Sequence, residues 1–333
     1  TVTDLNGDEV AIEDTSRTAT LGGVFTETVY ALGAQDQLVA IDASSFYPPE
    51  ALEEKPNFGY YRFLSAEPVL AQDPSLIIGN EETGPPEVVQ QLRDAGVPIL
   101  LLPDNNDVQA ARDLISTLGL IFDKDAEAAA LIDQLDADVA AAEALVAQAT
   151  SSPRVLFVLQ PPDAPLLVSG ERSAAGNMIS LAGGSHVYPG FPGYIPMTPE
   201  GIVETAPEVI LTTTASVERL GGMDALKEHP GIGQTPAAEN DRIYAMDDLY
   251  LMGFGRGHVG IELGDQLLGG LFALEDGGQR VDEVARGLHI VVVRQQQHGH
   301  AGITQLRHDL GRAGLLVADD EAGILRQYGL GGE

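Results

Sequence analysis

The stretch "FGYYRFLSAE" places two tyrosines next to an arginine, at Tyr60, Tyr61 and Arg62. A phenol has a pKa of about 10 and must lose its proton to bind ferric iron, which an adjacent guanidinium favours. A guanidinium also pairs with carboxylates through two parallel hydrogen bonds. The trio therefore predicts a site for ferric iron or for a ligand with carboxylates, but tyrosines at such a position also suit the core or the surface.

Aromatic side chains concentrate in two short segments. Six of the 18 tyrosines and phenylalanines lie between positions 46 and 63, and three more lie between positions 188 and 194. One interpretation is that the rings seal an interface between two lobes. The other is a cleft lined by flat apolar rings and a few polar groups, which is how small-molecule sites are usually built. Because tyrosinate is an established axial ligand of haem iron, haem is one candidate for such a cleft.

The surrounding pattern predicts an α/β fold. Apolar runs such as "QLVAID" and "VPILLLP" read as buried strands and alternate with helical stretches such as "PEVVQQLRDAG". Residues 125–150 contain neither Gly nor Pro and predict one helix of about seven turns. We expect two Rossmann-like lobes, residues 1–124 and 151–272, joined by that helix, with the ligand cleft between them. Residues 273–333 are interpreted as an appended tail, weakly structured or disordered.

An internal repeat relates the two lobes. The segment "YYRFLSAEPVLAQDPSLII" resembles "GYIPMTPEGIVETAPEVIL". The offset is 133 positions, and it pairs three residues of the first segment with identical residues of the second: Tyr61 with Tyr194, Glu67 with Glu200 and Pro74 with Pro207. Each copy predicts a loop, a short helix, a proline and a strand, so we expect two structurally similar lobes.

Composition excludes several functions. The chain has 50 acidic residues against 18 lysines and arginines, a net charge of −32, which argues against nucleic acid and against anionic membrane surfaces. It has no cysteine, which excludes disulfides, thiolate metal sites and cysteine nucleophiles. No apolar run reaches the length of a membrane span. The polar start predicts either a cytosolic chain or one whose signal peptide has been removed.

The sequence resembles the periplasmic haem-binding proteins that serve ABC-type haem importers. "GYYRFLSAE" is similar to that family's Gly-Tyr-x-Arg-x-Leu-Ser-Ala-Glu signature, and the resemblance covers about residues 17–272. The family belongs to the helical-backbone class of substrate-binding proteins, with the cobalamin and siderophore binders. The resemblance implies a soluble or lipid-anchored monomer in the periplasm, or an equivalent extracytoplasmic compartment. It further implies that haem is the transported ligand and that an ABC permease dimer is the partner.

The resemblance also implies roles for individual residues. Tyr60 would be the axial ligand of ferric haem, and Arg62 would stabilise its phenolate or contact a propionate. Tyr61 would form the cleft wall. Glu67 and Glu200 would dock onto arginines of the permease dimer, although an acid at a helix N-terminus is also favourable without any partner.

The resemblance leaves the second iron ligand and the propionate contacts less closely defined. A second iron ligand would come from Tyr194, Met197 or His186, with Tyr194 preferred because it mirrors Tyr61. Arg172 is a candidate propionate contact. Arg256 is another, although "GFGRGH" departs from the family's Gly-Phe-Gly-Pro-Arg turn.

Three alternatives remain, of which the third is a cell-surface haem carrier that has no transporter. The first is a ferric-siderophore or cobalamin binder of the same class, in which Tyr60 would only pack against the ligand. The second is an α/β enzyme, disfavoured because the sequence shows no nucleophile–His–acid set, no P-loop and no clustered metal ligands. "GRGHVG" matches a dinucleotide fingerprint, but it does not follow the first strand of a βαβ unit.

Overall fold

The protein is described by a computed structural model over residues 1–103, 107–162 and 164–246, and by the backbone of two later strands. The described residues through 246 belong to one compact unit, Thr1–Glu275. Within that unit the chain forms two α/β lobes and a long helix between them, which confirms the predicted fold class.

The first lobe alternates short strands with helices. Its elements are β1 (Val2–Thr3), β2 (Glu9–Val10), β3 (Thr18–Thr20), α1 (Gly23–Ala31), β4 (Leu38–Ile41), α2 (Pro49–Glu54), α3 (Ala66–Leu70), β5 (Leu76–Asn80), α4 (Pro86–Asp94), β6 (Ile99–Leu102) and α5 (Val108–Ile121). A parallel sheet in the order β4–β3–β5–β6 forms its centre. Three of its strands are largely apolar and the fourth, β3, is a buried Thr-Ala-Thr segment, since helices cover both faces of such a sheet.

The second lobe repeats this plan. Its elements are β7 (Arg154–Leu159), β8 (Leu167–Ser169), α7 (Ala174–Leu181), β9 (Ser185–His186), β10 (Tyr194–Pro196), α8 (Pro199–Thr205), β11 (Val209–Thr213), α9 (Thr214–Leu220), α10 (Met223–Glu228), α11 (Pro236–Glu239) and β12 (Ile243–Met246). The parallel strands follow the order β9–β7–β11–β12, and β8 and β10 extend the sheet in antiparallel pairing from β7. In both lobes the first parallel strand lies between the second and the third.

The predicted repeat is a repeat of structure. The strand β11 begins and ends 133 positions after β5, and α8 begins 133 positions after α3. In each lobe the helix ends shortly before a residue with positive φ, Asp73 or Ala206, which turns the chain into the strand. The repeat in the sequence therefore corresponds to one supersecondary unit that is present in each lobe.

The helix α6 (Asp125–Val146) lies between the lobes in the chain and packs on both cores. Its buried residues recur every three or four positions and so form one stripe along the helix: Ala128, Leu131, Leu135, Val139 and Ala142. The first four belong to a core cluster made mainly of first-lobe residues, which also includes Ala174 and Met178 of α7, while Ala142 belongs to a core cluster of the second lobe. A single helical face thus contributes to two hydrophobic cores.

The predicted tail, residues 273–333, lies outside the described residues except for two strands. These are β13 (Leu315–Ala318) and β14 (Leu325–Tyr328), which pair antiparallel. They belong to a second compact unit, Asp276–Glu333.

Shortening the central side chain of this stripe should destabilise the whole first unit. We expect Leu135→Ala to lower the free energy of unfolding by about 2–5 kcal/mol, because it removes buried methyl groups and leaves a cavity. Glu143→Ala, on the exposed face of the same helix, should change it by less than about 0.5 kcal/mol. Urea unfolding followed by circular dichroism measures both, and equal effects would contradict the packing described for α6.

Candidate ligand-binding site

The loop that carries Tyr60 and Tyr61 is held by a buried carboxylate, Asp42, just after β4. Its two oxygens accept backbone N–H bonds from Gly22 at 3.0 Å, Ser44 at 3.0 Å and Tyr61 at 3.3 Å. The hydroxyl groups of Ser44 and Ser45 donate to it as well, at 3.0 and 3.2 Å. One side chain therefore joins the start of α1, the loop after β4 and the tyrosine loop.

The carboxylate oxygens of Asp42 accept hydrogen bonds from N–H and O–H groups of the protein. Burial raises the pKa of its carboxyl, and the hydrogen bonds from Ser44, Gly22 and Ser45 oppose that rise. The adjoining backbone is packed tightly: a Cβ added at Gly23 would lie 2.4 Å from the carbonyl oxygen of Ser44. Because only glycine permits this approach, α1 can begin directly against the Asp42 loop.

Backbone hydrogen bonds fix the tyrosine loop on its other side. Gly84 donates to the carbonyl of Tyr61 at 3.0 Å, and Leu64 donates to the carbonyl of Gly84 at 2.9 Å. Ala43 donates to the carbonyl of Gly59 at 2.9 Å. The loop is thus tied to the segments that follow β4 and β5, at the carboxyl ends of parallel strands, where α/β proteins usually bind ligands.

The two adjacent tyrosines have different environments. Tyr61 is 8% exposed and packs in a core cluster with Leu64 and Ile77, whereas Tyr60 is 39% exposed. Their ring centroids are 4.8 Å apart with an angle of 61° between the planes, an edge-on contact. Burial raises the pKa of the Tyr61 phenol, and the hydrogen bond from Arg62 only partly opposes it. Tyr61 therefore remains protonated, and Tyr60 presents the accessible hydroxyl.

Arg62 lies over both rings. Its Cζ is 5.8 Å from the ring centroid of Tyr60 and 5.4 Å from that of Tyr61, within the range of cation–π attraction. Its Nε donates to the Tyr61 hydroxyl at 3.1 Å, and its Nη2 pairs with the carboxylate of Glu82. Arg62 therefore holds a guanidinium over the exposed ring of Tyr60 while its own polar contacts go to Tyr61 and Glu82.

Further exposed aromatic side chains lie on the two loops that Asp42 holds. Phe63 is 79% exposed, and its ring centroid is 6.1 Å from that of Tyr60. Phe46 and Tyr47 are also exposed, on the loop that Asp42 holds. Neighbouring exposed rings of this kind mark a binding surface more often than a lone exposed residue does.

The corresponding residues of the second lobe are more enclosed. Tyr194 is half-buried, its ring contacts Phe157 edge-on at 6.1 Å, and its hydroxyl hydrogen-bonds with Ser173 and the backbone of Ala175. Burial raises the pKa of the Tyr194 phenol. In these respects Tyr194 resembles Tyr61, its partner in the repeat, rather than Tyr60.

The remaining predicted contacts are dispersed. Met197 packs against a core cluster of the second lobe, and His186 Nε2 lies 3.0 Å from the carbonyl oxygen of Gly176. Arg172 is exposed beside Ser173, the N-cap of α7. Arg256 lies outside the described residues. Of the predicted ligand-binding residues, the structure brings Tyr60, Tyr61 and Arg62 into direct contact.

Glu67 and Glu200 occupy equivalent exposed positions. Each lies in the first turn of its short helix, α3 or α8, and the two helices begin 133 positions apart. An acid there is favoured by the helix dipole, so its presence alone does not establish a role in docking.

Sequence reasoning assigned no role in the site to Asp42 or to Glu82. Both lie within two residues of the carboxyl end of a parallel strand, the one signal that marks them among 50 acidic residues. No group of three or more His, Cys, Asp or Glu residues that could hold a metal ion is found in the described part of the chain. A search of the same residues finds no helix long and apolar enough to cross a membrane.

The model of the family described as "Periplasmic binding protein" matches residues 19–250. The chain belongs to this family. Membership agrees with the expected periplasmic or equivalent extracytoplasmic location, and the family comprises substrate-binding proteins of transport systems.

Solved structures of this family share the fold. The periplasmic haem-binding protein RhuT from Roseiflexus sp. RS-1, in its apo form, is 36% identical, with a TM-score of 0.71 over 77% of this chain and 99% of that one. The haem-binding protein BhuT in complex with two haems is 35% identical, with a TM-score of 0.70 over 77% and 98% of the two chains. A vitamin B12-binding protein of Vibrio parahaemolyticus is 23% identical over 241 residues, covering 72% of this chain and 83% of the relative.

Removing the Asp42 carboxylate should release the tyrosine loop. We expect Asp42→Ala to lower the free energy of unfolding by at least about 2 kcal/mol, because several buried donors lose their acceptor together. Asp133→Asn, an exposed acid on α6, serves as the control and should be nearly neutral. Thermal unfolding of both variants measures the difference, and a wild-type melting temperature for Asp42→Ala would contradict the role assigned to this carboxylate.

Proposed function

We propose that this periplasmic binding protein binds ferric haem through the phenolate of Tyr60 and delivers it to the permease dimer of an ABC importer. The observation that carries the proposal is the position of Tyr60, an accessible phenol beside the guanidinium of Arg62 on a loop fixed by Asp42. An iron ligand must be reachable and held in place, and Tyr60 meets both conditions.

The neighbouring side chains suit a porphyrin. Tyr60, Phe63, Phe46 and Tyr47 expose rings that can contact a flat apolar macrocycle. Arg62 carries the charge that compensates a phenolate or a propionate. Tyr61, protonated and buried, supports the ligand-bearing loop as its wall.

The second lobe would contribute further contacts. Tyr194 stays the preferred candidate for a second iron ligand, with Met197 and His186 as alternatives. Its hydroxyl would have to give up the bond with Ser173 to reach the iron. Arg172, exposed at the start of α7, is suited to a propionate, and Arg256 is kept as a second propionate contact.

Cobalamin is the second candidate ligand, because vitamin B12-binding proteins are among the relatives. Cobalamin brings its own corrin nitrogens and needs no phenolate, so Tyr60 would only pack against it. Removal of the Tyr60 hydroxyl should therefore weaken the binding of haem but not that of cobalamin, which distinguishes the two ligands.

Titration with hemin tests the role of Tyr60. We expect the wild-type protein to give the visible spectrum of a ferric tyrosinate complex, and Tyr60→Phe to lose that spectrum and to weaken binding at least about tenfold, because the axial ligand is missing. Tyr61→Phe, its neighbour, should keep the tyrosinate spectrum. Hemin binding that is identical in all three proteins would contradict the proposal, and tight binding of cyanocobalamin in its place would favour the alternative.

The delivery step is tested by the two equivalent acids. We expect Glu67→Ala combined with Glu200→Ala to abolish uptake by proteoliposomes that contain the cognate importer, because the docking charges are gone, and to leave hemin affinity unchanged. Glu87→Ala combined with Glu239→Ala removes two exposed acids from the first turns of other helices and should transport normally. Normal transport by both double variants would exclude docking through Glu67 and Glu200.

A further inference from the structure

The cation beside Tyr60 is already paired. Arg62 Nη2 contacts Oε2 of Glu82, and the same oxygen accepts a hydrogen bond from the Tyr61 hydroxyl at 3.3 Å. Arg62 Nε donates to that hydroxyl at 3.1 Å, so Arg62, Tyr61 and Glu82 form a closed ring of contacts. A ligand carboxylate that approaches Arg62 meets a guanidinium that has a carboxylate partner.

The Glu82 side chain extends from a segment with a fixed backbone. The Glu82 N–H donates to Asn80 Oδ1 at 3.1 Å, and Thr83 donates to the Asn80 carbonyl at 3.1 Å. The next residue, Gly84, bonds with the tyrosine loop at Tyr61 and at Leu64. The segment after β5 and the tyrosine loop are therefore one hydrogen-bonded unit, which places the carboxylate against Arg62.

The internal repeat separates the residues of the site from those of the scaffold. Tyr61 recurs in the second lobe as Tyr194. The positions that correspond to Tyr60, Arg62 and Glu82 hold Gly193, Ile195 and Ala215. The ring of contacts formed by Arg62, Tyr61 and Glu82 therefore has no counterpart at the equivalent positions of the second lobe.

We propose that Glu82 is a specificity-determining residue, a resident carboxylate that competes with carboxylates of the ligand for Arg62. This inference rests on the proposed binding of a carboxylated porphyrin at Tyr60. Both side chains of the ion pair are partly exposed, at 43% for Arg62 and 40% for Glu82, so the pair is weak enough to exchange partners. The fixed acid holds Arg62 over the tyrosine rings when no ligand is bound, and it reduces the affinity for each carboxylate that arrives.

The competition makes a prediction that depends on the ligand. Glu82→Gln keeps the size and a hydrogen-bond acceptor but removes the competing charge. We expect it to tighten hemin binding about three- to tenfold, because the ligand no longer displaces an ion pair and no longer faces a like charge. Iron(III) protoporphyrin dimethyl ester, which has no free carboxylate, should bind the variant and the wild type within about twofold of each other.

Two controls separate this effect from others. Glu81→Gln removes the same charge one residue away, so it controls for the change in net charge, and we expect it to change hemin affinity by less than about twofold. The ferric tyrosinate spectrum of Glu82→Gln, compared with that of Tyr60→Phe, reports whether iron is still bound at Tyr60.

Soret titrations of wild type, Glu82→Gln, Glu81→Gln and Tyr60→Phe with hemin and with the ester decide the matter. Tighter hemin binding by Glu82→Gln alone, absent with the ester, supports the competition. Binding through Tyr60 with an affinity that does not respond to Glu82→Gln overturns this inference and leaves the proposed function standing. Equal tightening of hemin and ester also overturns it, since Glu82 would then act on the loop and not on the carboxylates. Failure of hemin to bind through Tyr60 overturns both.

Discussion

The buried carboxylate of Asp42 is the contact on which the first-lobe site depends. It accepts from backbone groups at the start of α1, after β4 and at Tyr61, which are distant in the chain. A charge is expensive to bury, and here hydrogen bonds from several fixed dipoles offset part of that cost. Because the acceptor is a single rigid group, displacement of any one of these segments would strain the others. The accessibility of Tyr60 and the burial of Tyr61 both follow from where this group holds the loop.

The two lobes show how one framework can carry different chemistry. The repeated helix and strand keep their spacing in both lobes, and the tyrosine at each equivalent position packs on a core. The proposed ligand contacts Tyr60 and Arg62, and Glu82 beside them, lie at positions where the second lobe has different residues. Two lobes of similar structure can therefore present different side chains in the loops at the ends of equivalent strands.

Sequence alone predicted the elements better than the contacts. Apolar runs and helical periodicity gave the α/β pattern, and the offset of 133 positions predicted the equivalence of β5 and β11. Tyr60 and Arg62 were recognisable because they are adjacent in a distinctive segment. Asp42 and Glu82 were not, since their roles arise from hydrogen bonds to residues about 20 positions away, and one acid among 50 carries no mark of burial or pairing. The different environments of Tyr60 and Tyr61 likewise follow from tertiary packing and not from residue type.

The shared stripe of α6 has a thermodynamic consequence. Leu135 lies in a core cluster formed mainly by the first lobe and joined by Ala174 and Met178 of α7, and Ala142, two turns later on the same face, lies in a cluster of the second lobe. Neither lobe can lose its packing without exposing part of a helix whose remainder is still buried by the other. Helix formation is itself cooperative, so the loss propagates along α6. The two lobes are therefore coupled into one cooperative folding unit, and a fragment that contains either lobe without this helix would lack a wall of its own core.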